Sequence, residues 1–161
     1  MLQTISNDKD FKATLASLSD QARRQATALL IQQVIELFPD QRVQAALQLA
    51  GNQQVSETEL KQALRQIGAA RVESSLRSTT ETDWRTQAGH FVIRATQECL
   101  KPRVDMEAAW TAAMQARMAR LCQMTATSGG DNNEAQAQYL ALAEYLQRQI
   151  NPNFPLAPLK G

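Results

Sequence analysis

The chain has 161 residues, of which 43 % are hydrophobic and 20 % charged. That profile suits one globular domain with enough apolar surface for a core without disulfide staples, and it excludes a disordered chain. Its 17 basic and 16 acidic side chains leave a formal charge of +1, too even for a whole-molecule field that would gather nucleic acid or an anionic membrane.

The first ten residues, Met1 to Asp10, lack the apolar core of a secretory signal. No apolar run approaches the ~20 residues of a membrane span. The strongest, Leu29 to Phe38, is interrupted by Gln32, Gln33 and Glu36. A cytoplasmic protein with no membrane partner is the expectation.

Helical periodicity runs through almost the whole chain, and glycines and prolines fall between the periodic segments. A first helix is expected from Asp8 to Ser17, with Phe11, Leu15 and Leu18 on one side. Ser19 is a good N-cap for a second helix, which should end at Phe38 before Pro39. Its stripe is Ala22, Ala26, Leu29, Leu30, Val34 and Leu37, widened by Ile31, Ile35 and Phe38 to the pattern of a central helix.

Asp40 opens a third helix reaching Ala50, with Gly51 as its C-terminal stop. The fourth begins with a capping box, Ser56 and Glu59, and a hydrophobic staple, Val55 and Leu60. Leu60, Ala63, Leu64 and Ile67 form its apolar face, and Val72 and Leu76 extend that face past Gly68, a candidate kink or close crossing.

Thr79 to Asp83 resets the chain for a fifth helix, with Trp84, Ala88, Phe91, Val92, Ala95 and Cys99 on one face and Lys101-Pro102 at its end. Asp105 caps a sixth helix running to about Met124, and Thr125 to Asn133 reads as a loop. A last helix covers Glu134 to Ile150, with Tyr139, Leu142, Ala143, Leu146 and Ile150 inward. The tail, 151–161, holds three prolines and is not helical, with Phe154 docking it on the bundle. The expectation is a single all-α domain over 1–161, a bundle of about six or seven helices.

Residues for chemistry are few. His90 is the only histidine. At about 100° per residue it falls on the polar face of its helix with Gln87, Arg94 and Gln97, opposite Trp84, Ala88 and Ala95. A di-iron bundle needs Glu-x-x-His, and position 87 is Gln; zinc would have to draw on one histidine and two distant cysteines. No metal site and no cofactor are expected.

Cys99 and Cys122 are too far apart for a disulfide. If the fifth and sixth helices turn back near Arg103, the two lie roughly 22 Å apart. No Gly-x-Ser-x-Gly elbow or phosphate loop is present. Arg23, Arg24, Arg65, Arg71, Arg77 and Arg85 read as solvated helix faces, diluted by Glu57, Glu59, Glu73 and Glu81, and no nucleic-acid partner is expected.

The sixth helix is apolar on two sides. Met106, Trp110, Met114, Met118 and Leu121 share one arc; Ala109, Ala112, Ala113, Ala116 and Ala119 share the opposite one. Such a helix is either central or shared with a partner, and its Met/Trp face, within about 106–124, is the surface on which a homodimer would form.

Three segments carry a likeness. Leu37 to Leu47 resembles the opening of small bacterial helical proteins, where an acidic turn is followed by an arginine that begins the next helix and then by a polar segment like Val55 to Leu64. Ala88-Gly89-His90-Phe91-Val92-Ile93-Arg94-Ala95-Thr96 is similar to an Ala-Gly-His stretch of immunity proteins from bacterial toxin gene clusters. In that pattern a second histidine often follows, where this chain has Thr96. Gln138 to Phe154 resembles the closing segment of a related group ending near Asn-Pro-Phe; here the order is Asn-Pro-Asn-Phe.

The resemblance spans roughly Arg24 to Phe154 and implies an all-α fold and a protein-binding role. The expected function is therefore a non-enzymatic interaction protein, such as a cytoplasmic antitoxin that neutralises a partner toxin. Its contact residues are expected in the Asp40–Arg42 turn and on the His90–Arg94 face, although Asp40 is equally a helix cap. Two other classes stay open. A helical regulatory or small-ligand-binding module would show an apolar pocket with His90 and Arg94 at its rim. An enzyme of carboxylates and arginines would need two close acids with raised pKa values.

Overall fold

The computed structural model describes residues 4–52, 54–78, 83–127 and 132–150, the side chains at 77–78 excepted. Among these residues there are seven α-helices and no strand: α1 (Asp8–Ser17), α2 (Asp20–Gln32), α3 (Gln41–Gly51), α4 (Glu57–Ser78), α5 (Trp84–Cys99), α6 (Met106–Thr127) and α7 (Glu134–Ile150). The expected all-α bundle is what forms. No helix among the described residues is long and apolar enough to cross a membrane. The reset at 79–82, the loop residues 128–131 and the tail with Phe154 lie outside the described residues.

The helices start where side chains replace missing backbone acceptors. Asn7, Ser19, Asp40, Asp83 and Asp105 each accept a first-turn N–H of the helix they precede, and Ser56 and Glu59 bond reciprocally at 3.1 and 3.2 Å. Each such cap stabilises its helix by about 1 kcal/mol.

The central pair is α5 and α6, with α2 laid across both. On one side, α3 and α4 complete a core containing Ile31, Val34, Val43, Ile67, Val92 and Ile93. On the other, α1 and α7 complete a second, around Phe11, Leu15, Leu30, Tyr139 and Leu142. The alanine face of α6 separates them: Ala112, Ala116 and Ala119 face the first, Ala109 and Ala113 the second, and all five are 0 % exposed. A methyl side chain permits this close approach on both sides.

The Met/Trp arc of α6 is largely taken up within the chain. Trp110 packs on Phe11 with ring centroids 6.2 Å apart, Lys12 Nζ sits 4.0 Å over its ring, and Met106 and Met114 pack against the second core. Only Met118 and Leu121 remain exposed there.

Several expectations need correction. The second helix stops at Gln32, and Ile35–Leu37 form a single 3-10 turn. Pro39 keeps Phe38 out of the helical region (φ −150°, ψ 78°), and Arg120 takes the Gln33 carbonyl at 3.1 Å. The tighter turn then buries both Val34 and Leu37. Leu29, Val72, Leu76 and Ile150 are exposed, not inward. α4 runs on through Gly68, where an added Cβ would meet nothing within 4 Å, Gly51 is the last residue of α3, and α6 continues through Thr125 to Thr127.

Arg23 and Arg24 are not solvated helix faces. Arg23, 7 % exposed, donates to the carbonyls of Leu15, Ala16, Leu18 and Val104 and to Asp20. Arg24 donates to the carbonyls of Cys99, Lys101 and Pro102. The pair closes the open C-terminal ends of α1 and α5, where backbone acceptors lack partners.

Candidate functional site

The residues expected to form a contact surface come together around α4. On its α3 flank, Asp40 caps α3 by accepting the Arg42 N–H at 2.8 Å and also receives the Arg42 guanidinium at 2.8 and 3.1 Å. Arg42 reaches on to both carboxylate oxygens of Glu73, at 2.7 and 3.1 Å. The guanidinium holds the Asp40 carboxyl below its usual range. The cap and the expected contact residues are thus one assembly, a clasp from the start of α3 to the C-terminal third of α4.

On the other flank, α5 runs against α4. Ser74 Oγ lies 3.4 Å from His90 Nδ1, and Arg71 donates to Gln97 at 3.2 Å. Burial first, then the charges of Arg94 and Arg71, push the His90 pKa down. Arg94 projects, exposed, beside this seam.

Ser74–His90 has the composition of a nucleophile and its base, and sequence reasoning passed over Ser74. The surroundings oppose that chemistry. A general base must become imidazolium, and a third, anionic group normally orients and stabilises it. The charged neighbours acting on His90 are the cations Arg94 and Arg71. A neutral imidazole bonded to a hydroxyl is the state this environment favours.

A cavity of about 380 Å³ adjoins the clasp, lined by Leu37, Phe38, Pro39, Asp40, Ser74, Asp83, Arg85 and Thr86. Asp40 lines it; His90 and Arg94 do not. Between α3 and α4 runs an open trough of about 420 Å³, floored by Ala45, Ala46, Leu49 and Ala63 and edged by Gln41, Gln62 and Gln66.

Along the crest of α4, between these flanks, Val72 and Leu76 are 61 % and 66 % exposed. They stand opposite its buried line, Leu60, Ile67, Ala70 and Ser74. A helix apolar on its inner and outer faces is the pattern the sequence shows in α6; in the structure α4 carries it to the surface.

A second polar assembly links α1, α6, α7 and the 3-10 turn. Arg117 forks onto Asp8 at 2.7 and 3.2 Å and bonds Gln138, while Tyr139 donates to Asp8 at 2.7 Å. Arg120 joins Glu36, Glu134, Gln123 and the Gln33 carbonyl. Glu134 is 5 % exposed and its Oε2 has no hydrogen-bond partner. Burial raises its pKa despite Arg120. Two carboxylates do meet here, but a guanidinium lies between them and it already bonds both.

Among the described residues no three His, Cys, Asp or Glu side chains gather as a metal site would. Cys99 and Cys122 are both free thiols. Burial pushes the Cys99 thiol up to about 12, far from the thiolate a nucleophile needs. Compared with protein-family models, curated proteins and solved structures, the chain matches none of them.

Proposed function

We propose that the chain is a non-enzymatic interaction protein that engages another protein through the α4–α5 face. The observation that carries this reading is the crest of α4, where Val72 and Leu76 stand exposed opposite the helix's buried line. Burying a large aliphatic side chain contributes about 1.5–3 kcal/mol, so a partner covering this crest gains from it directly. The clasp of Asp40, Arg42 and Glu73 fixes α4 on one side and the Ser74–His90 contact fixes it on the other. A crest held this way is presented without reorganisation on binding, which favours affinity. The finer reading, an antitoxin that neutralises a cytoplasmic toxin, rests on the resemblance of Leu37–Leu47 and Ala88–Thr96.

The test is a quantitative pull-down with the tagged full chain, alongside Val72→Asp. A stoichiometric protein recovered with the wild type and lost with Val72→Asp supports the reading, provided the variant melts at the same temperature. Recovery of no protein by either would sink it. The antitoxin reading adds one requirement: the recovered partner must arrest growth when expressed alone and be silenced by co-expression of this chain.

The alternative, a small-ligand module, is favoured by the α3–α4 trough and its apolar floor. A Leu49→Trp change would fill that trough; ligand-induced stabilisation lost in this variant but kept in Val72→Asp would favour it.

A further inference from the structure

We infer that the partner's contacting segment is acidic and amphipathic, an inference that rests on the protein-binding reading above. The carboxylates of α4 and α5 are already committed. Glu57 pairs with Lys61 at 3.3 Å, Glu59 completes the capping box, Glu73 is held by Arg42, and Glu98 pairs with Lys101. The cations around the crest are not neutralised in the same way. Arg65, Arg71 and Arg94 are exposed, and none has a carboxylate partner among the described residues; Arg71 bonds only the neutral Gln97.

These charges share one surface. Arg65 precedes Val72 by two turns on the same side of α4, about 10 Å along the axis. Arg71 leans over the seam to α5, where it and Arg94 both act on His90. The face is thus an apolar ridge, Val72 and Leu76, bordered by three uncompensated guanidinium groups, within a chain whose formal charge is only +1.

Guanidinium binds carboxylate in a two-pronged geometry, and carboxylates flanking apolar residues at helical spacing match both parts of the face at once. Nucleic acid would use the cations and leave the ridge in water. An anionic bilayer requires a broad apolar face that sinks below the headgroups, and two side chains do not supply one.

The probe is a fluorescent helical peptide of ~20 residues with leucines on one face and glutamates on the other. It is titrated into the full chain and followed by anisotropy and by amide chemical shifts. Three controls run beside it: the same peptide with lysine for glutamate, phosphatidylglycerol vesicles, and single-stranded DNA. The glutamate peptide is expected to bind and shift amides of α4 and α5, and to weaken about tenfold between about 50 and about 300 mM salt. Arg71→Glu with Arg94→Glu should abolish binding, and Arg71→Gln with Arg94→Gln should weaken it at least fivefold. Val72→Ser should weaken it without changing the salt dependence.

The inference is overturned if both peptides bind alike or neither binds. It is also overturned if charge reversal leaves affinity unchanged, or if vesicles or DNA bind more tightly. A pulled-down partner indifferent to the double reversal would overturn the acidic chemistry and leave protein binding standing. Binding of the glutamate peptide without any recovered protein would strike the broader reading instead.

Discussion

Phe38 lies directly on the backbone of Gly89: a Cβ built at Gly89 would stand 2.7 Å from Phe38 Cδ1 and 3.1 Å from Cε1. The ring that leaves the 3-10 turn before Pro39 therefore packs where α5 has no side chain. That contact brings the start of α3, and with it the Asp40–Arg42 clasp, against the helix that carries His90 and Arg94.

The two internal helix glycines should respond oppositely to alanine. Gly89→Ala must displace the ring and should cost on the order of 1–2 kcal/mol, even after the helix-propensity gain. At Gly68 an added Cβ would meet nothing within 4 Å, so Gly68→Ala should stabilise by about 0.5–1 kcal/mol. Urea denaturation of both variants measures this. Equal signs would contradict the packing described.

Arg23 should be among the most sensitive positions in the chain. Removing it as Arg23→Met takes the guanidinium from the carbonyls of Leu15, Ala16, Leu18 and Val104, and leaves Leu15 only the Leu18 N–H at 3.3 Å. Leaving buried acceptors unpaired should cost at least about 3 kcal/mol. Arg23→Lys should recover little of it, because an ammonium cannot span four carbonyls in the guanidinium's fork. A lysine variant as stable as wild type by thermal melting would show that charge alone suffices.

Glu134 gives stability a specific dependence on pH. Its folded pKa is raised from 4.5, chiefly by burial. A raised pKa contributes stability that is full below the ordinary value and lost as pH rises through the folded one. Asp8 and Asp40 have lowered values and work in the other direction: their contribution is full above 3.8 and lost as pH falls through the lowered pKa. Glu134→Gln removes only the first effect. The stability of wild type minus that of Glu134→Gln should therefore fall as pH rises from 4.5 through the raised pKa of Glu134. Chemical denaturation across that range decides it; a constant or rising difference would show that Glu134 is ionised at no cost.

The two thiols should separate cleanly. Cys99 is 0 % exposed with a pKa pushed up to about 12, whereas Cys122 is half-buried, its pKa also raised by burial. Iodoacetamide at mildly alkaline pH should modify Cys122 slowly and spare Cys99 until denaturant is added. Mass spectrometry of the native protein shows the pattern; rapid labelling of Cys99 would mean that α5 opens locally from α2.

Helix positions, caps and the two-sided character of α6 were legible because they depend on neighbours a few residues away. Ser56 with Glu59, Ser19 and Asp105 each act within one turn, so their spacing determines their role. The partition of arginines was not legible. Arg23 and Arg71 have the same local pattern of a charged residue on an amphipathic helix, yet one ends beneath carbonyls contributed from as far as Val104 and the other in water. The exposure of Val72 and Leu76 was misjudged for a related reason: periodicity shows that a helix has an apolar arc, not how many neighbours arrive to cover it. Ser74 carried no signal, since its meaning comes only from α5 lying alongside.

The partners of Arg23 and Arg24 include Val104, 81 residues further along the chain, and Cys99, 75 residues further along. During synthesis Arg24 leaves the ribosome before any of the carbonyls it bonds is made, and Arg23 before Val104, although the other partners of Arg23 precede it in the chain. α2 packs on α3 as well as on α5 and α6, but these long-range guanidinium bonds wait for the α5–α6 connection. Closing so long a loop is slow, and contacts of this range tend to form late. A chain cut short before Cys99 would thus carry Arg24 without any of its three carbonyl acceptors and Arg23 without Val104.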